Sequence, residues 1–150
     1  MLPYVIAAHV LAVVVWVGGM SFTLLVLRQG LAPLAPAERL GVLARVFARF
    51  LRLVGAAVLV IALTGGWLLL QYGGILRAPW GVHAMLGLGA VMIILYAVLD
   101  ARHNPRFQAA VAAGDWPKAG ALAERIRKLV AVNLVLGIVV IVAGVAGRGG

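Results

Sequence analysis

The sequence predicts an all-α integral membrane protein, an antiparallel four-transmembrane-helix bundle with an amphipathic cytoplasmic helix. Three observations carry this. Of 150 residues, 65% are apolar and 11% charged, against about 45–50% and about 25% in ordinary globular domains. The apolar residues gather in four runs, residues 4–27, 53–72, 80–99 and 129–146, and no Asp, Glu, Lys or Arg interrupts any of them. Each run approaches the roughly 20 residues with which a helix crosses about 30 Å of hydrocarbon. Backbone amides have no water to bond in lipid, so runs this long and without alternation are helices rather than barrel strands. A single membrane domain covers residues 1–150, with no internal repeat and no separate soluble unit.

The first run reads as a retained span. It lacks a basic start, exceeds the roughly 7–15-residue core of a signal peptide and ends without a small-residue cleavage pattern. Pro36 then opens an amphipathic helix, with Leu40, Leu43, Phe47 and Phe50 on one face and arginines on the remaining arc. This helix is expected at the cytoplasmic interface, near anionic head groups, before it runs into the second span. The short loop 73–79 makes the second and third spans antiparallel neighbours. Asn104 and Pro105 are expected to break the third helix, and Gly114, Asp115, Trp116 and Pro117 to form a turn and restart. The fourth helix therefore begins well inside the cytoplasm. Gly18, Gly19, Gly65, Gly66, Gly87, Gly137 and Gly144 supply small surfaces for close helix approach.

The formal charge of +9 is sorted by loop. Arg28, Arg39, Arg45, Arg49 and Arg52 follow the first span, and Arg102, Arg106, Lys118, Arg125, Arg127 and Lys128 separate the third from the fourth. Arg77 and Arg148 alone fall on the other side. This pattern argues for topology and against a nucleic-acid-binding face. By the positive-inside rule both basic loops are cytoplasmic, which places Met1 and Gly150 on the periplasmic or extracellular side of a bacterial-type inner membrane. The implied partners are the lipid bilayer, a membrane redox partner and a second copy of the chain.

There is no cysteine, so disulfides, thiolate metal sites and covalent haem attachment are ruled out. Intramembrane ionisable residues are costly, which singles out His9 and His83. His9 lies six residues after Pro3, roughly 9 Å along its helix, and His83 three after Trp80, roughly 5 Å. Both helices start on the outer side, so the imidazoles share a depth. Returning every seven residues, the face of His9 carries Trp16, Met20 and Thr23, with Ala12 beside it. His83 shares a face with Gly87 and Ala90, a groove free of bulk that suits a flat macrocycle. Thr64, Trp67 and Gln71 fall together on the second span, and Arg77 sits just outside, placed for a propionate. Neutral imidazole is a haem-iron ligand, so the leading expectation is a b-type haem (haem b) between the first and third helices, on His9 and His83. The alternatives are copper, with the same histidines as entry and Met20 deeper, and a cofactor-free accessory subunit whose histidines are packing residues. Met85 and Met92 lie about 200° and 180° around the helix from His83 and point away from it. His103, at the cytoplasmic helix end, reads as solvated or lipid-facing, and Asn133 as a residue able to bond across helices.

The stretch from His9 through Trp16, Gly18 and Gly19 to Met20 resembles the first helix of the copper-resistance protein D (CopD) family and of the related HemJ-type membrane protoporphyrinogen oxidases. Thr64, Gly65, Gly66, Trp67, Leu68 and Leu69, and the run Trp80, Gly81, Val82, His83, Ala84, Met85, Leu86, resemble their second and third helices. The HemJ-type resemblance implies a haem b ligated by His9 and six-electron oxidation of a porphyrinogen. That family has a functional lysine after His-Ala, and here the position is Met85, a departure that bears on the oxidase reaction more than on haem binding. The CopD-type resemblance implies copper uptake or handling. The particular reaction, redox or electron transfer in the haem reading, is left open by the residues.

Overall fold

The computed structural model describes residues 1–147, so Arg148, assigned above to the outer side, lies outside the described residues. The fold is an all-α membrane bundle of four helices, α1 (Leu2–Leu31), α2 (Pro36–Gln71), α3 (Trp80–Ala112) and α4 (Trp116–Ala146), each long and apolar enough to span a bilayer. Among the described residues there is no strand. All four extend past their apolar runs at one end, where the basic loops lie; this is called the basic end below.

Each extension has a local cause. In α1 the turn Thr23–Leu27 is π-helical, and the Arg28 N–H reaches back to the Thr23 carbonyl, carrying the helix past the end of its apolar run. Pro36 sits in the first turn of α2, where its missing N–H is no loss, and the helix then runs unbroken into the second span. The expected break at Asn104 and Pro105 does not occur. A π-helical turn, Leu99–His103, precedes Asn104, whose N–H bonds to the Leu99 carbonyl. The wider turn gives the Pro105 ring clearance from the carbonyl behind it, so α3 continues to Ala112. Gly114, at φ +68°, then reverses the chain. Asp115 caps α4, its carboxylate accepting the Lys118 N–H at 3.2 Å.

Packing pairs α1 with α2 and α3 with α4. At the expected glycine contacts the outcomes divide. A methyl on Gly144 would come within 2.8 Å of Met85 Sδ, one on Gly137 within 2.9 Å of Val17 Cγ2, and one on Gly19 would overlap the Phe50 ring, whereas Gly18, Gly66 and Gly87 face open space. The second and third spans are neighbours at the basic end rather than along their connecting loop. There Gln108 Nε2 donates to the Ala44 carbonyl at 2.8 Å, Tyr96 donates to the Leu51 carbonyl at 3.0 Å, and the Phe47 and Phe107 rings lie 5.7 Å apart. Phe107, Ala119 and Ile126 are fully buried in this region. Elsewhere Leu59, Leu63, Ile94 and Val142 are exposed, as a lipid-facing surface requires.

Candidate functional site

The inward face of α1 is the stripe read from the sequence. Ala12, Trp16, Met20 and Thr23 are buried, Met20 to 2% exposure, and His9 is half-buried at the end remote from the basic loops. Residues seven apart return to one side of a helix, so a single line of side chains descends the bundle.

His9 is oriented by α2. Its Nδ1 lies 2.8 Å from Thr64 Oγ1. The threonine hydroxyl has one proton, and it donates that proton to the Val60 carbonyl at 2.6 Å. That placement of the proton favours the Nδ1–H tautomer of His9, the form in which the Nε2 lone pair is available to a ligand. Gly65 makes the room: a methyl there would sit 3.4 Å from His9 Cε1.

Deeper in the bundle, the Trp16 and Tyr96 rings meet edge to face at 6.3 Å. Trp16, Met20, Tyr96 and Asn133 line a cavity of about 20 Å³, about the space of one water. Asn133 bonds across helices, donating to the Met92 carbonyl at 3.3 Å, and its Oδ1 is buried without a partner. Such an atom carries a desolvation cost that a water or a cation would relieve. Met92 is itself buried and fills the notch at Gly137. Met85 and Met92 thus both turn to α4 and away from His83.

The other predicted residues are not drawn into this line. His83 is exposed, and a methyl on Gly87 would meet nothing within 4 Å, so the groove beside His83 faces outward. Trp67 is half-buried on α2. Arg77 is exposed in the connecting loop, its stem folded against Gly73. His9 is turned to α2, where it bonds to Thr64, while His83 is exposed on α3. A haem held between the first and third helices on these two histidines is therefore unsupported by the geometry. His103, read from the sequence as solvated or lipid-facing, is half-buried with its Nδ1 enclosed and unpartnered in the π-helical turn. Tyr96 and the inward direction of Met92 were not singled out by the sequence; a tyrosine inside an apolar run, whose hydroxyl must find a partner, was the available signal.

Among the described residues no three of His, Cys, Asp or Glu come together as a metal-binding group. On the inward face of α1 the available metal donors are the His9 imidazole and the Met20 thioether. The family described as Copper resistance protein D matches residues 44–146, which spans α2 to α4 and excludes His9, Trp16 and Met20. No curated protein matches, and no solved structure matches.

Proposed function

Because the chain belongs to the copper resistance protein D family, we propose that it handles copper in the membrane, passing the cuprous ion along the buried face of α1. The observation that carries this reading is that face itself, where His9 has Nε2 free and Met20 lies buried deeper. Imidazole and thioether are the donors that suit Cu(I), and the chain has no cysteine to compete with them. His9 and Met20 are eleven residues apart, about 16 Å along the helix. They are therefore successive stations rather than one site. The unpartnered Asn133 Oδ1 beside Met20 supplies a polar neighbour at the inner station. The basic end faces the cytoplasm of a bacterial-type cell and His9 the outer side, in keeping with the sorting of lysine and arginine.

Copper is cargo in this reading. His9 takes the ion through Nε2 while Thr64 holds the ring, and Met20 receives it where water is largely excluded. A monovalent ion on neutral ligands crosses such a region at lower cost than a hydrated divalent one. The test is copper flux in proteoliposomes loaded with a Cu(I) indicator. The wild-type chain accelerates the signal, His9→Ala and Met20→Leu slow it by about tenfold or more, and His83→Ala leaves it unchanged. A wild-type rate equal to that of empty liposomes, or a stoichiometric Soret band in the purified protein, would contradict the proposal.

A further inference from the structure

At the basic end, between the close of α1 and the starts of α2 and α4, lies a cavity of about 420 Å³. Three arginines line it, Arg28, Arg39 and Arg127, against one acid, Glu124. Glu124 is already engaged by Arg127, whose Nε donates to Oε2 at 2.9 Å and whose Nη2 bonds to Oε1. Arg28 and Arg39 come from different helices and have no carboxylate partner among the described residues. With three guanidinium groups against one carboxylate, the cavity carries an excess of positive charge.

Apart from Thr23 and Gln29 its other lining is apolar, and the order of charge and hydrocarbon along each helix is the same. Leu24 lies on the bilayer side of Arg28 in α1, Phe47 on the bilayer side of Arg39 in α2, and Val130 on the bilayer side of Arg127 in α4. Charge therefore sits toward the basic end and hydrocarbon toward the membrane within one pocket. The volume falls in the range of small-molecule sites, roughly 300–1,000 Å³, well beyond what a bare phosphate fills. The chemistry that matches is an amphiphile with an anionic phosphate head and an apolar tail, located where helices leave the bilayer.

We propose that this cavity is a specific site for an anionic phospholipid, with the phosphate between Arg28 and Arg39 and the chains leaving past Leu24, Phe47 and Val130. A net-negative head group is selected, because a zwitterionic one brings its own cation to a wall that already carries two. Gly120 is part of the lining, and a methyl there would meet nothing within 4 Å, so the space beside it is open.

Native mass spectrometry of the full-length chain, with phosphatidylglycerol or phosphatidylcholine added at equal concentration, tests this. A single phosphatidylglycerol adduct is expected, favoured over phosphatidylcholine by about tenfold. The double variant Arg28→Gln, Arg39→Gln reduces it to the phosphatidylcholine level. Arg52→Gln, an exposed arginine bonded to the Ala48 carbonyl of its own helix, leaves it unchanged. Gly120→Leu keeps every charge, favours the helix and places bulk at the cavity wall, so it too is expected to remove the adduct and guards against misfolding of the arginine variant. Equal binding of the two lipids, retention of the adduct in either cavity variant, or its displacement by millimolar inorganic phosphate, which marks a soluble-anion site, would each overturn the proposal.

Discussion

Thr64 determines which nitrogen of His9 is available. Because its hydroxyl donates to the Val60 carbonyl and accepts from Nδ1–H, replacing it with valine removes the acceptor while nearly keeping the shape. Nitrogen-15 NMR of labelled histidine should report a single Nδ1–H tautomer at His9 in the wild type and a mixture in Thr64→Val, with Thr64→Ser restoring the single form; an unchanged spectrum in the valine variant would contradict this role. Tyr96→Phe deletes the bond to the Leu51 carbonyl, one of few polar ties between α2 and α3, and should cost about 1 kcal/mol in detergent unfolding. At this scale the sequence conveyed depth but not direction. A rise of 1.5 Å per residue put His9 and His83 at one level. Nothing in the residues said how far each helix turns about its axis, and that rotation sends His9 to Thr64 and leaves His83 exposed.

Beside the Met85 and Met92 contacts, the α3 and α4 pair is held by close backbone approach at Gly81. A methyl on Gly81 would lie 2.7 Å from the Ala143 carbonyl oxygen and 2.8 Å from Gly147 Cα, and backbone atoms cannot rotate out of the way. Gly81→Ala should therefore lower stability by about 1–3 kcal/mol, read as a lower melting temperature in detergent. Gly89→Ala, where a methyl meets nothing within 4 Å, should be neutral or slightly stabilising; equal effects from the two would refute this account of the interface. The existence and type of every helix were legible from the apolar runs, and the Asp115 and Pro117 restart of α4 from its cap chemistry. The continuity of α3 was not. The proline rule predicts a break at Asn104 and Pro105, and the π-helical turn that avoids it leaves no compositional trace.

For the molecule as a whole, composition alone specified a four-span membrane bundle, because uncharged runs of this length have no other stable home than lipid. The sorting of arginine and lysine predicts an orientation, in which a reporter fused before Met1 falls on the non-cytoplasmic side and reporters placed at Leu34 and Ala113 fall in the cytoplasm; the reverse pattern would contradict it. What composition did not reveal is where the core lies. The densest packing forms at the basic end, where Phe107, Ala119 and Ile126 are buried, because helix extensions outside the apolar runs pack on one another there. Between the lipid-facing surface and that core runs the α1 face of His9, Trp16 and Met20, and copper binding to it is the claim on which the functional reading rests. Its most direct measurement is Cu(I) affinity of the purified chain by competition with a chromogenic chelator. The account predicts binding by the wild type and a loss of about tenfold or more in both His9→Ala and Met20→Leu; no copper bound by the wild type, or unchanged affinity in the two variants, would contradict it.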